Sequence, residues 1–128
     1  MKRIGLIGLI IVLTGCVSGG ALSPEQQAEH DEPLVCKGKE QCDLFWQRVT
    51  FYISNNSRYK VQTLNENLIQ TFSPTGGNTY LGYKITREPL GDNRFRIWIH
   101  AWCDNMFGCT PYKGEAVLSF KRYVRNGR

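Results

Sequence analysis

Apolar residues between 40 and 54 recur at steps of three and four: Cys42, Phe45, Trp46, Val49, Tyr52 and Ile53. That spacing puts them on one face of an amphipathic helix, and Asn55-Asn56-Ser57 ends it. The pattern then changes to period two. Tyr59, Val61 and Thr63 alternate across 58–64, and Asn65-Glu66-Asn67 makes a turn or bulge before an apolar run over 68–72. The stretch 73–78 (Ser-Pro-Thr-Gly-Gly-Asn) is a loop. Leu81, Tyr83 and Ile85 alternate through 79–87, a turn is expected over 89–93, and 94–103 is the strongest strand pattern of the chain. A last helix is predicted over 115–123, with Ala116, Val117, Phe120 and Val124 on one side and Lys121, Arg122, Arg125 and Arg128 near its C-terminal end. The expected fold class is α+β. An N-terminal helix, an antiparallel sheet of three or four strands and a C-terminal helix form a two-layer sandwich, with both helices on the apolar face of the sheet.

The first sixteen residues read differently. Lys2 and Arg3 precede ten apolar residues over 4–13, and Leu13-Thr14-Gly15-Cys16 follows. A basic start, a short apolar core and small residues before a cleavage point describe an export signal. Ten residues are too few to span a bilayer, which takes about 20 in a helix. The last four residues resemble the lipobox of bacterial lipoproteins, the family matured by the lipoprotein signal peptidase. The resemblance implies removal of 1–15 and a lipid on Cys16: a thioether diacylglycerol and an N-acyl chain such as palmitate. Two or more chains hold a protein stably on a membrane where one does so only marginally. Val17, in place of Asp, implies sorting to the outer membrane facing the periplasm in a two-membrane host.

Charge divides what remains. Residues 17–34 contain Glu25, Glu29, Asp31 and Glu32 with no Lys or Arg, among Ser, Gly, Gln and Pro. This composition predicts a flexible acidic tether over 16–34, about 20–25 Å across as a coil. Folding back on the basic domain is its alternative. Residues 35–128 form one domain with 14 Lys and Arg against 7 Asp and Glu, a net of +7. Such a domain stays soluble, and beside a bilayer it is drawn to anionic headgroups.

Cys36, Cys42, Cys103 and Cys109 fall in two C-x5-C pairs. An even count in an exported domain reads as disulfides. Chain entropy favours long bridges, at about 4.4 kcal/mol against about 2–2.5 for a seven-residue loop. Proximity favours the local pairs Cys36–Cys42 and Cys103–Cys109, each closed over turn-forming residues, and these are the expected bridges. Zinc usually takes closer Cys spacing, so no metal and no cofactor are expected.

Candidate chemistry concentrates on 94–103. Phe95, Ile97, Ile99 and Ala101 share the core face, while Arg94, Arg96, Trp98, His100 and Trp102 share the other. Two cations, two indoles and an imidazole in a row can stack on flat rings and pair with carboxylate or phosphate. The competing expectation, and the preferred one, is that a loop or helix covers Trp98 and Trp102 while the arginines reach outward. The stapled segment 103–109 is expected to be a rigid corner, or alternatively a binding loop tipped by Met106 and Phe107. His100 is the one histidine of the domain, and no Ser stands in a nucleophile elbow. The functional expectation is therefore a non-catalytic, membrane-anchored binding or scaffold module. Its partner would be an envelope protein, an anionic lipid or a glycan, and not a nucleic acid. An inhibitor or immunity-type lipoprotein is the alternative, and an envelope enzyme using His100 the third.

Overall fold

The computed structural model describes residues 22–128. The expected leader over 1–15, the lipobox resemblance at 13–16 and the expected lipid site Cys16 lie outside the described residues. The element order is α1 (Pro24–Asp31), β1 (Leu34–Lys37), α2 (Lys39–Asn56), β2 (Val61–Leu64), β3 (Leu68–Thr71), β4 (Gly82–Gly91), β5 (Arg94–Trp102) and α3 (Lys113–Asn126). The strands make one five-stranded antiparallel sheet in the order β1-β5-β4-β3-β2. The fold is α+β, as the pattern predicts, with one strand and one helix more than expected.

Both additions fall at the N-terminal side, and they correct the tether. Residues 24–31 are helical, and β1 begins at Leu34. Ser23 caps α1, Pro24 opens its first turn, and Gln26 completes a capping box: the Ser23 side chain accepts from Gln26 N–H while the Gln26 side chain accepts from Ser23 N–H. No residue of α1 is buried, so apolar periodicity carries no trace of it. Charge fixes it instead. Arg122 donates twice to the Glu29 carboxylate, at 2.7 and 2.6 Å, and Lys121 donates to the backbone carbonyls of His30 and Glu32. The acidic segment folds back on the basic C-terminal helix.

The core lies between the sheet and the pair α2 and α3. Phe45, Val49 and Ile53 of α2 meet Ala116, Phe120 and Val124 of α3 over Leu34, Cys36, Ile69, Ile85, Ile97 and Ala101. Tyr52 packs edge-on against Phe120 at 5.5 Å. Each fully buried Ile, Val or Phe contributes about 1.5–3 kcal/mol. Arg48 donates to the carbonyls of Val124 and Arg125, the open C-terminal end of α3. The bridges are the local ones: Cys36–Cys42 ties β1 to α2, and Cys103–Cys109 closes the loop after β5.

The β4–β5 turn is tighter than expected. Asp92 and Asn93, both at positive φ (53° and 56°), make a two-residue turn between Gly91 and Arg94. Positive φ at both positions is what a hairpin of this twist needs, and Asp and Asn tolerate it. Pro89 therefore stays in the strand, and the register slips between Pro89 and Gly91.

Candidate binding face

Register decides which side chains reach the side of the sheet away from the helices. β5 presents Arg94, Arg96, Trp98, His100 and Trp102 there, and direct partners share its face: Lys37 beside Arg94, Val35 and Glu88 beside Arg96, Thr86 beside Trp98, Lys84 beside His100, Gly82 beside Trp102. Among the described residues no helix lies over this face. Trp98 is 52% exposed, and Arg94, His100 and Lys84 are exposed as well. The expected cover over Trp98 is thus absent from the described residues. The physical reason is that both long helices already pack on the opposite side, and α1 is held on α3 by charge. Cover exists only at one end, where buried Pro74 of the 73–78 loop packs on Gly82, the partner of half-buried Trp102.

The exposed side chains are organised. The Arg96 guanidinium sits 5.2 Å from the centre of the Trp98 ring. The Trp98 indole N–H donates to the Glu88 carboxylate at 2.7 Å. His100 and Trp102 stack, with centroids 5.1 Å apart and planes 17° off parallel. The Arg96 cation is thus laid along an aromatic, worth about 0.5–1 kcal/mol at an exposed site. The indoles are held in set orientations before any ligand arrives. Lys37, Lys84, Arg94 and Arg96 share the face with the carboxylate Glu88, which accepts from the Trp98 indole. Sequence reasoning missed Lys37, Lys84 and Glu88 because they belong to other strands and join β5 only through register.

His100 has no hydrogen-bond partner among the described residues, and no group of three or more His, Cys, Asp or Glu there is placed to hold a metal ion. No described helix is long and apolar enough to cross a membrane.

Sequence reasoning also missed a cleft of about 550 Å³ at the hairpin end, between α2 and the sheet. There the Arg87 guanidinium lies 4.3 Å over the Phe95 ring and 5.7 Å from Trp46. Arg87 belongs to the core side of β4, so alternation alone marks it as out of place. Lys39 and Asp43 on its wall pair with each other.

The stapled loop is rigid and bare together. Asp104 accepts from Gly77 N–H, Asn105 donates to the Gly77 carbonyl at 2.8 Å, and Asn105 also accepts from Phe107 N–H. Yet Met106 is 90% and Phe107 93% exposed. The corner and the apolar tip are the same object.

No family model, curated protein or solved structure matches the chain.

Proposed function

We propose that this chain is a lipid-anchored bacterial envelope lipoprotein, non-catalytic, whose domain is a binding or scaffold module. The open face of β5 is its contact surface, and its partner presents anionic groups beside flat or apolar rings: an envelope protein, a glycan or a lipid headgroup. The observation that carries this reading is the pair of stacks, Arg96 on Trp98 and His100 on Trp102, on a sheet face left open by the described helices. Large indoles are seldom left in water without use. Four cations on this face, Lys37, Lys84, Arg94 and Arg96, outweigh the Glu88 carboxylate beside them. Support for the anchor is the lipobox at Leu13-Thr14-Gly15-Cys16, with the outer membrane facing the periplasm as its location.

The test uses the native protein in its own membranes. Mass spectrometry is expected to find an acylated N-terminal Cys16, and Cys16→Ser to release the protein from the membrane. Chemical cross-linking is expected to trap one defined partner, lost on combined Arg94→Ala, Arg96→Ala and Trp98→Ala substitution. Unchanged cross-links in that variant overturn the face, and unchanged membrane attachment of Cys16→Ser overturns the anchor.

A second reading has an observation of its own. The nearly bare Met106 and Phe107 on a braced, disulfide-closed loop suit an inhibitor or immunity-type protein that plugs a hydrolase or toxin. It predicts capture of one tight enzyme partner, lost on Met106→Ala with Phe107→Ala and indifferent to the Arg94 group.

A further inference from the structure

Five of the nine large apolar residues exposed among the described ones gather at one end of the molecule: Phe72, Tyr80, Met106, Phe107 and Tyr112. Topology puts them there. Phe72 follows β3 and its N–H bonds Lys60. Tyr80 precedes β4, which starts opposite Trp102, the residue where the stapled loop leaves β5. Thr110 N–H bonds the Thr79 carbonyl, Asn105 bonds Gly77, and Tyr112 stands at the start of α3. Arg58 lies over the Tyr80 ring at 4.8 Å, and Lys60 and Lys113 are exposed close by. Of the nearby carboxylates, Asp104 is engaged with Gly77 N–H and Glu115 sits in the first turn of α3.

The chain enters the described domain at this same end. Leu22 packs at the start of α3: a Cβ built on Gly114 would lie 3.1 Å from Leu22 Cδ1 and 2.9 Å from the Tyr112 ring. Cys16 is six residues before Leu22. Six residues reach about 20 Å at full extension.

We propose that this end is a bilayer-contacting surface, in which Met106 and Phe107 enter the headgroup–acyl boundary of an anionic membrane while Arg58, Lys60 and Lys113 meet the headgroups. The proposal rests on the lipid-anchor reading. A lipid on Cys16 holds this end within about 20 Å of the bilayer, so the apolar tip comes within reach of lipid. Aromatic rings with neighbouring cations suit that boundary. The disulfide and the Asn105 bonds keep the tip from folding back onto the domain. The contact also orients the molecule, because the strands run away from this end and the β5 face then stands across the membrane plane.

The test reconstitutes the lipidated full-length protein in phosphatidylethanolamine–phosphatidylglycerol vesicles with and without brominated acyl chains. Phe107→Trp places a reporter at the tip, and Leu44→Trp, at an exposed position of α2 near the other end, serves as control. Wild-type emission is subtracted. Protein that floats with the vesicles, with the added Phe107→Trp emission quenched about twofold and Leu44→Trp emission unchanged, supports the proposal, since interfacial side chains sit about 5–10 Å deep. Flotation with both reporters equally unquenched overturns the contact and leaves the anchor standing. That result is also the one expected if a protein pocket takes the tip. Absence of flotation overturns the anchor reading and the contact with it.

Discussion

The ammonium of Lys121 donates to the backbone carbonyl of Glu32 at 2.8 Å, across 89 residues of chain. It also donates to His30, so one buried cation closes the C-terminal end of α1, where carbonyls have no partner within the helix. Burial, then the nearby Arg125, lowers the Lys121 pKa below 10.5, against the opposing pull of Asp31 and Glu32. The cation is retained in this place because the carbonyls solvate it.

Lys121→Met keeps the stem and removes the donor. It leaves the His30 carbonyl unpaired and the Glu32 carbonyl with Arg125 alone, which costs about 1–3 kcal/mol. Urea unfolding is expected to show that loss, and hydrogen exchange to show early opening of 24–31 with α2 and β4 protected as before. Equal loss of protection everywhere would mean that α1 is not a separable unit.

Tyr83 sets an alkaline limit. Burial, with a smaller contribution from Tyr52, pushes its phenol from 10.0 up to about 12. Between these values the unfolded chain has released the proton and the folded chain still holds it, so stability falls as pH rises from 10 towards 12. The full effect is about 2–3 kcal/mol. Tyr83→Phe is expected to flatten this part of the stability profile, measured by urea unfolding at a series of pH values.

Gly82→Ala tests the close approach of the 73–78 loop. A Cβ there would lie 2.5 Å from Pro74 Cδ, inside contact distance. The expected cost is about 1–3 kcal/mol of overpacking. Pro74→Ala in the same chain is expected to restore most of it, because the ring is the obstacle. Thermal melts of the single and double variants decide this.

The binding face predicts substitutions of opposite sign. Arg96→Ala removes a cation and the cover of Trp98, whereas Glu88→Gln removes the one carboxylate opposite Arg96 while keeping an acceptor for the indole N–H. On an immobilised anionic glycan, Arg96→Ala is expected to elute at lower salt and Glu88→Gln at higher salt than the wild type. Glu88 is exposed and Arg96 half-buried, and neither belongs to the apolar core, so melting temperatures should stay within about a few degrees of the wild type. A shift of both in one direction would show that charge on this face does not govern binding.

How much was legible depended on whether an element is held by apolar contacts. The helix read from Cys42, Phe45, Val49 and Ile53 extends only from 40–54 to Lys39–Asn56, and all four residues are buried. Strand β5 sits where period two placed it. The helix α1 carries no apolar stripe, and its signal was the short run Ser23-Pro24-Glu25-Gln26, a cap that composition counting passes over. Strand β1 is four residues long, too short for alternation to show, and ends in the lysine before the Gly38 turn.

Sequence by itself determined the α+β class, the apolar faces of α2 and α3 and which side chains of β5 avoid the core, and it favoured the local disulfides. These follow from period and spacing, which are properties of neighbours along the chain. Tertiary structure decided that the acidic segment docks on α3, that the described helices all leave the Trp98 face open, and that Lys37, Lys84 and Glu88 join Arg96 upon it. It also brought five exposed apolar residues and the chain entry at Leu22 to one end. Register and packing between distant segments settle such matters, because the free energy of a contact depends on what lies opposite in space, and linear order does not contain that.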